Sequence, residues 1–187
     1  MNYQQPEFFR FGFDSIWLSD MVKSNCEGFI PEKILELGAG SGIISCELAT
    51  HFPEGHFTCL ELQEAFLPFL RANLENYLQQ RHEVIAQSVA QFNLTKTKTF
   101  DLIVFNPPYF ETTASRPSPV LEREICRKHV VDTWEDWMAC VQRSLTAQGQ
   151  VFWVHRKEMP RPEGFMVEKI STQQELGVWR ARRLHVE

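Results

Sequence analysis

No run of about eighteen consecutive apolar residues occurs in the sequence, so a membrane-spanning helix is not expected. The first thirty residues carry charges and prolines where a secretory signal needs an apolar stretch, and the expectation is a cytoplasmic protein. Cysteine is sparse: Cys26, Cys46, Cys59, Cys126 and Cys140 are odd in number and contain no C-x-x-C pair. That argues against a disulfide framework and against a zinc centre, so the thiols read as reduced, packed as small hydrophobes, and no metal is expected. Low-complexity tracts are missing too, and 43% hydrophobic with 23% charged residues excludes a disordered or fibrous chain. Excess positive charge is likewise lacking. At a net charge of −5, any contact with nucleic-acid phosphates must come from a local patch.

What is present suits one domain, residues 1–187, with an N-terminal segment at 1–30 and a core at 31–187. From Lys33 onward short apolar runs alternate with longer amphipathic ones, the pattern of an α/β chain with a parallel sheet covered on both faces. Strands are expected at 34–37, 56–61, 82–86 and 100–105. The last of these, Phe-Asp-Leu-Ile-Val-Phe, is nearly all apolar and so buried on both faces. A helix follows the glycine-rich turn and ends near 51–53. A second spans 63–80, with Pro68 either starting or bending it. Residues 107–130 hold four prolines, many charges and no periodicity, which marks a long loop of the kind that carries function. A helix at 132–145 and a fifth strand at 150–155 come next, then strand candidates at 165–170 and 178–186. Between the fifth and sixth strands only 156–164 remains, with two prolines, so the helix expected there is missing or reduced to a turn.

The first strand ends in Glu36-Leu37-Gly38-Ala39-Gly40-Ser41-Gly42. Glycine has no side chain to keep a ligand away from backbone, and a strand that opens a helix through such a loop is a nucleotide-type site. The spacing is G-x-G-x-G. Dinucleotide oxidoreductases place the third glycine one position later, which argues against a hydride-transfer enzyme. A ligand without a pyrophosphate asks instead for carboxylates that meet an ammonium group and ribose hydroxyls. Glu36 and Glu61 stand at the ends of the first two strands, and Glu61 has the placement that pairs with a ribose.

The fourth strand runs into Asn106-Pro107-Pro108-Tyr109. The two prolines hold this tetrapeptide extended as it leaves the sheet. An amino group conjugated to a ring or carbonyl is a poor nucleophile, and positioned acceptors favour a more localised lone pair. Asn106 Oδ1 and the Pro107 carbonyl can accept its two N–H hydrogens, aim the nitrogen, and stabilise the positive charge that develops. Tyr109 can stack on the planar group and Phe110 can extend that apolar wall, stacking being worth about 1–3 kcal/mol per base. Proton loss can follow the transfer, so no His or carboxylate base is needed.

Taken together these residues resemble the Rossmann-like class I S-adenosylmethionine-dependent methyltransferases, in the branch that methylates adenine amino groups or glutamine amides. Three segments are most similar to the bacterial valine-tRNA adenine-N6 methyltransferase family: residues 9–18 resemble its N-terminal helix, Cys59-Leu60-Glu61-Leu62-Gln63 the end of its second strand, and residues 106–110 its catalytic segment. The resemblance covers roughly residues 8–155. It implies a three-layer fold, a seven-stranded mostly parallel sheet with an antiparallel last strand, and S-adenosylmethionine held by Glu36, Gly38, Gly40, Gly42, Glu61 and Leu62. It also implies a base entering beside Asn106, Pro107 and Tyr109, with Pro108 and Phe110 around it. Such enzymes usually carry an aspartate after the third strand to contact the cofactor adenine. This chain has Ala86-Gln87-Ser88 there, so Ser88 or Gln87 substitutes or the contact is lost.

Arg116, Arg123, Arg127, Lys128 and His129 follow the tetrapeptide among acidic neighbours, and with Arg10 they form a candidate RNA-facing lip, with Arg116, Lys128 and Arg10 assigned to substrate. The expectation is therefore methylation of an adenine amino group in RNA, tRNA first among the partners. Three other readings stay open. Glutamine-amide methylation of a protein uses the same tetrapeptide, but such enzymes typically bring a separate N-terminal recognition domain, and about thirty residues precede the first strand here. DNA adenine methylation is expected to need a target-recognition insertion, and none is visible. A non-catalytic partner subunit is prompted by Ser88 and the short C-terminal region.

Overall fold

The computed structural model describes residues 2–93, 99–107 and 131–184. In chain order its elements are α1 (Phe13–Asn25), β1 (Lys33–Leu37), α2 (Ile43–Ala49), β2 (His56–Leu60), α3 (Leu67–Leu78), β3 (His82–Ile85), α4 (Val89–Asn93), β4 (Phe100–Phe105), α5 (Trp134–Ser144), β5 (Leu145–His155), β6 (Phe165–Gln173) and β7 (Leu176–Arg183). The strands form a seven-stranded sheet in the order β3-β2-β1-β4-β5-β7-β6. The pairs among β1 to β5 are parallel, and β7 runs antiparallel to both β5 and β6.

Alternation along the strands divides the core between the two faces of the sheet. Leu102 and Val104 of β4 pack with Ile34, with Leu18 and Val22 of α1, Cys46 and Leu48 of α2, and Leu70 and Leu74 of α3. Ile103 and Phe105 point the other way, toward Leu35, Leu37, Phe92 of α4, and Trp137 and Val141 of α5. The apolar run at 102–105 is wholly buried because helices cover it on both sides, as expected for a central parallel strand. On the second face Phe105 stacks on Trp153, and Trp153 stacks on Trp179, joining the parallel half of the sheet to the antiparallel strand.

Several boundaries differ from the sequence expectation. Pro68 lies in the first turn of α3, where a missing N–H costs nothing, so it starts the helix and does not bend it. The helix α4 was not expected: five residues are too few to show a 3.6-residue period. Residues 145–149 extend β5 backward, but the pairing with β4 shifts between Phe100 and Leu102, and that irregular stretch hides the strand from a search for alternation. Thr133 caps α5 through a reciprocal pair with Asp136, so the helix begins at Trp134 and not at 132. No helix lies between β5 and β6, as expected. Residues 165–183 form a hairpin of β6 and β7, whose register shifts between Lys169 and Ser171.

The four described cysteines are free and buried, whereas Cys126 lies outside the described residues. Among the described residues no helix is long and apolar enough to cross a membrane, and no cluster of His, Cys, Asp or Glu could hold a metal ion.

Candidate active site

Strand order reverses at β1 and β4. The chain proceeds outward through β2 and β3, then returns to the opposite side of β1, and ligands of open α/β sheets sit at the carboxyl ends of strands at such a switch point. Leu37 pairs with Phe105, so Gly38 and Asn106 are the next residues on neighbouring strands. Sequence segments nearly seventy residues apart thereby meet at one cavity. Its volume is about 180 Å³, against the roughly 10–15 Å³ that a single water needs, so it is the size of a ligand and not of a trapped solvent molecule.

Gly38, Gly40 and Gly42 have φ of 62°, 54° and 77°, left-handed values that side-chain-bearing residues rarely adopt. At Gly42, the N-cap of α2, space is limiting as well, since a Cβ would lie 2.6 Å from Leu70 Cδ1. The loop is tied to β2 by the Ala39 N–H, which donates to the Leu60 carbonyl at 2.8 Å. Glu61 continues that tie with its side chain. One carboxylate oxygen accepts from the Gly40 N–H and the other from the Gln63 N–H, both at 2.7 Å. Burial pushes the Glu61 carboxyl up from the ordinary carboxylate value, against the pull of these backbone donors.

Glu36 on β1 also lines the cavity. Its Oε2 accepts from the Ser45 N–H at 3.0 Å and from the Ser45 hydroxyl, which in turn lies 3.2 Å from Cys59 Sγ. Burial raises the Glu36 carboxyl to about 7; the Ser45 bonds oppose that shift and the nearby Glu61 charge adds to it. A cation entering the cavity meets two desolvated carboxyl groups.

A second wall comes from the segment before α1. Asn73 of α3, 2% exposed, accepts from the Gln4 N–H at 2.9 Å and donates to the carbonyls of Gln4 and Ser41, each at 2.8 Å. One buried amide thus fastens the N-terminal segment to the glycine loop. Phe8 and Phe9 pack edge-on against Phe66, and Phe9, Phe11 and Phe66 face the cavity.

The opposite side is formed by Leu62, Gln87, Val89 and Asp132. Ser88 is engaged locally: its hydroxyl accepts from the Gln91 N–H, and its own N–H donates to Gln91 Oε1, both at 3.2 Å. Of the two residues proposed to replace the customary aspartate, Gln87 is the one that lines the cavity. A carboxylate does reach this region, from elsewhere in the chain. Asp132 accepts from the Val89 and Ala90 N–H groups at 2.9 and 3.1 Å.

Asn106 faces the same cavity, and its Nδ2 donates to Ser15 Oγ of α1 at 3.3 Å. Pro107 follows it, buried. Arg10 is exposed between the cavity residues Phe9 and Phe11. Pro108, Tyr109, Phe110, Arg116 and Lys128 lie outside the described residues, as do Arg123, Arg127 and His129. Sequence reasoning did not find Ser15, Phe66, Asn73, Asp132 or Trp137. Asp132 was read as the start of a helix, Ser15 fell within the segment 9–18 without a role of its own, and the other three carry no motif that separates them from core residues.

Sheet order, the antiparallel last strand and a cavity at the switch point define the Rossmann-like methyltransferase fold. The chain belongs to the methyltransferase small domain family, which matches residues 15–177. It is 33% identical over 122 residues to the tRNA1(Val) (adenine(37)-N6)-methyltransferase of Pasteurella multocida, covering 64% of this chain and 51% of that protein. The protein of the same name from Porphyromonas gingivalis is 28% identical over 146 residues, which is 76% of this chain and 56% of that protein. The chain therefore spans about half the length of the curated relatives it matches. Among solved structures, Escherichia coli yhhF superposes with a TM-score of 0.72 at 15% identity, covering 97% of this chain and 91% of that one. The precorrin-6y C5,15-methyltransferase of Geobacter metallireducens gives 0.62 at 16% identity, over 97% and 94%. At those identities the likeness is one of fold.

Proposed function

We propose that this chain transfers a methyl group from S-adenosylmethionine to the exocyclic amino group of adenine in RNA, and that its acceptor is a tRNA. The observation that carries the reading is the placement of Asn106 beside the glycine loop, at one cavity with Glu36 and Glu61. The names of the matched relatives support adenine in tRNA as the acceptor.

The residues present suit this cofactor. Glu36, buried and bearing a raised carboxyl, has the charge and position to meet the amino group of the methionine portion. Glu61 remains at the cavity surface with oxygens already oriented by Gly40 and Gln63, and would take the ribose hydroxyls. Gly38, Gly40 and Gly42 leave room for the ligand along the backbone. Leu62, Val89 and Gln87 would enclose the adenine, with Gln87 offering the polar contact. When bound, the cofactor supplies an electrophilic methyl group on a sulfonium.

The chain's own contribution is alignment and charge stabilisation. Asn106 Oδ1 and the Pro107 carbonyl would accept the two N–H hydrogens of the acceptor amine, aim its nitrogen at the methyl group, and stabilise the positive charge that nitrogen takes on as its new bond to the methyl carbon replaces the carbon–sulfur bond, whose electron pair stays on sulfur. The proton then leaves to solvent. Tyr109 and Phe110, next in sequence, supply aromatic surface for the base, and Arg10, Arg116 and Lys128 supply charge for the phosphates.

The test is incubation with tritiated S-adenosylmethionine and cellular RNA, DNA and protein in parallel, followed by nucleoside or amino-acid analysis. Label in N6-methyladenosine of the tRNA fraction is expected. Label confined to protein glutamine, or to DNA, overturns the adenine-in-RNA reading, and no label in any fraction together with no thermal shift on adding cofactor favours a non-catalytic partner.

A further inference from the structure

The Asn106 amide is gripped from outside its own strand. Its Nδ2 reaches Ser15 Oγ, 91 residues earlier in the chain, at 3.3 Å. Ser15 is 9% exposed and sits in the first turn of α1, a helix fixed by core contacts of Trp17, Leu18 and Val22 and by the stacking of Phe13 on Trp17. Both Ser15 and Asn106 line the cavity.

From this we infer that Ser15 is a positioning residue for methyl transfer: it fixes the rotamer and plane of the Asn106 amide so that the opposite edge, Oδ1, is presented to the acceptor amine. The inference rests on the role proposed above for Asn106. Its chemical basis is the asymmetry of a carboxamide. One edge donates, the other accepts, and an amine with two N–H groups can be held only by the accepting edge. An asparagine side chain turns about bonds whose final torsion is broad and nearly two-fold, so prolines 107 and 108, which stiffen the backbone, leave the amide plane unset. Ser15 sets it by engaging the nitrogen. A serine suits the place because its short side chain lets α1 approach the end of β4, while an alanine fills the same space without an acceptor.

Ser15 is not expected to touch either ligand's reacting atoms. The effect of Ser15→Ala should therefore fall on turnover, lowered about 10–100-fold as for a catalytic group misplaced by an ångström or less, while the dissociation constant for S-adenosylmethionine and the KM for the acceptor stay within about two-fold of wild type. Ser15→Thr, which keeps the hydroxyl, restores turnover. Equal turnover of Ser15→Ala and wild type, or a loss shared between kcat and cofactor affinity that Ser15→Thr does not reverse, overturns the inference. The acceptor identified by the labelling experiment is used, so a glutamine acceptor would retire the adenine reading yet still test Ser15, both acceptors being planar amines. A second measurement needs no turnover. In nitrogen-15 spectra the Asn106 side-chain NH2 is expected to exchange with solvent slowly in wild type and rapidly in Ser15→Ala; unchanged exchange overturns the inference.

Discussion

Asn73 grips Gln4 by both of that residue's backbone groups, accepting its N–H and donating to its carbonyl, while a further bond from the same amide nitrogen reaches Ser41 in the glycine loop. Removing the amide leaves the Ser41 carbonyl without that partner in a buried place, at about 1–3 kcal/mol if it stays unsatisfied, and frees the part-buried backbone of Gln4 from α3. Asn73→Ala should lower the melting temperature and weaken S-adenosylmethionine binding, because Phe9 and Phe11 of the cavity wall belong to the segment it fastens. Calorimetric titration measures the second effect. Unchanged affinity would mean that the N-terminal segment does not help enclose the cofactor.

The raised carboxyl of Glu36 gives two pH effects of opposite sign. Its ordinary value is 4.5 and its value in the folded chain is about 7, so the folded state binds the extra proton between those limits. Stability of the unliganded protein therefore falls as pH rises from about 4.5 through about 7. Cofactor affinity should rise over the upper part of that window, since an ammonium group favours the ionised carboxylate and its arrival expels the proton. Titration calorimetry in buffers of different ionisation enthalpy reads the proton directly. Glu36→Gln should bind more weakly and release less. Any release that remains in it is assigned to Glu61, which burial shifts in the same direction.

Gly42→Ala combines a left-handed φ of 77° with a Cβ placed 2.6 Å from Leu70 Cδ1. Gly28→Ala has a similar φ of 75° but nothing within 4 Å of the added carbon. The first should lose more stability than the second. The strain alone is about 1–3 kcal/mol, each kcal/mol lowering the melting temperature by about 2–4 °C for a chain of this size. Equal losses in thermal melts would show that the contact with α3 yields without cost.

Asn106→Ala should lower turnover by about 10²–10³-fold, the usual cost of removing one oriented group from a site of developing charge. Cofactor affinity should stay near wild type, because the Glu36 and Glu61 contacts do not involve it. Single-turnover labelling together with equilibrium titration separates the two. Full turnover in the mutant would contradict the proposed role of the side chain.

Those parts of the site that sit on one strand end were legible in the sequence. The apolar run 102–105 leading into Asn106, and the glycine loop leading from Glu36, announce themselves because strand, turn and functional residue are contiguous. What the sequence hid are the pairings across distance. Ser15 with Asn106, Gln4 with Asn73, and Asp132 with the start of α4 each join residues 42 to 91 positions apart. None of these pairings has a local signature: Ser15 lies in the segment 9–18 without any sign of its partner, and Asn73 reads as an ordinary break in an amphipathic stripe. The absence of an aspartate after β3 was legible. Gln87 was named there as a substitute, whereas the approach of Asp132, distant in sequence, to the backbone of Val89 and Ala90 had no local sign, and Ser88 pairs with Gln91.

The β6–β7 hairpin leaves β6 at the margin of the sheet, where unpaired backbone groups could recruit the strand of another molecule. The shift of register between Lys169 and Ser171 interrupts that margin at its middle. Glu168, bound to Arg180 and Arg182, and Lys169, held over the Trp179 ring, put charge immediately before the interruption. A marginal strand so bent and so charged is a poor template for sheet extension. The same hairpin that completes the fold thus guards one of the two margins of the sheet, opposite the one formed by β3, against extension by another molecule.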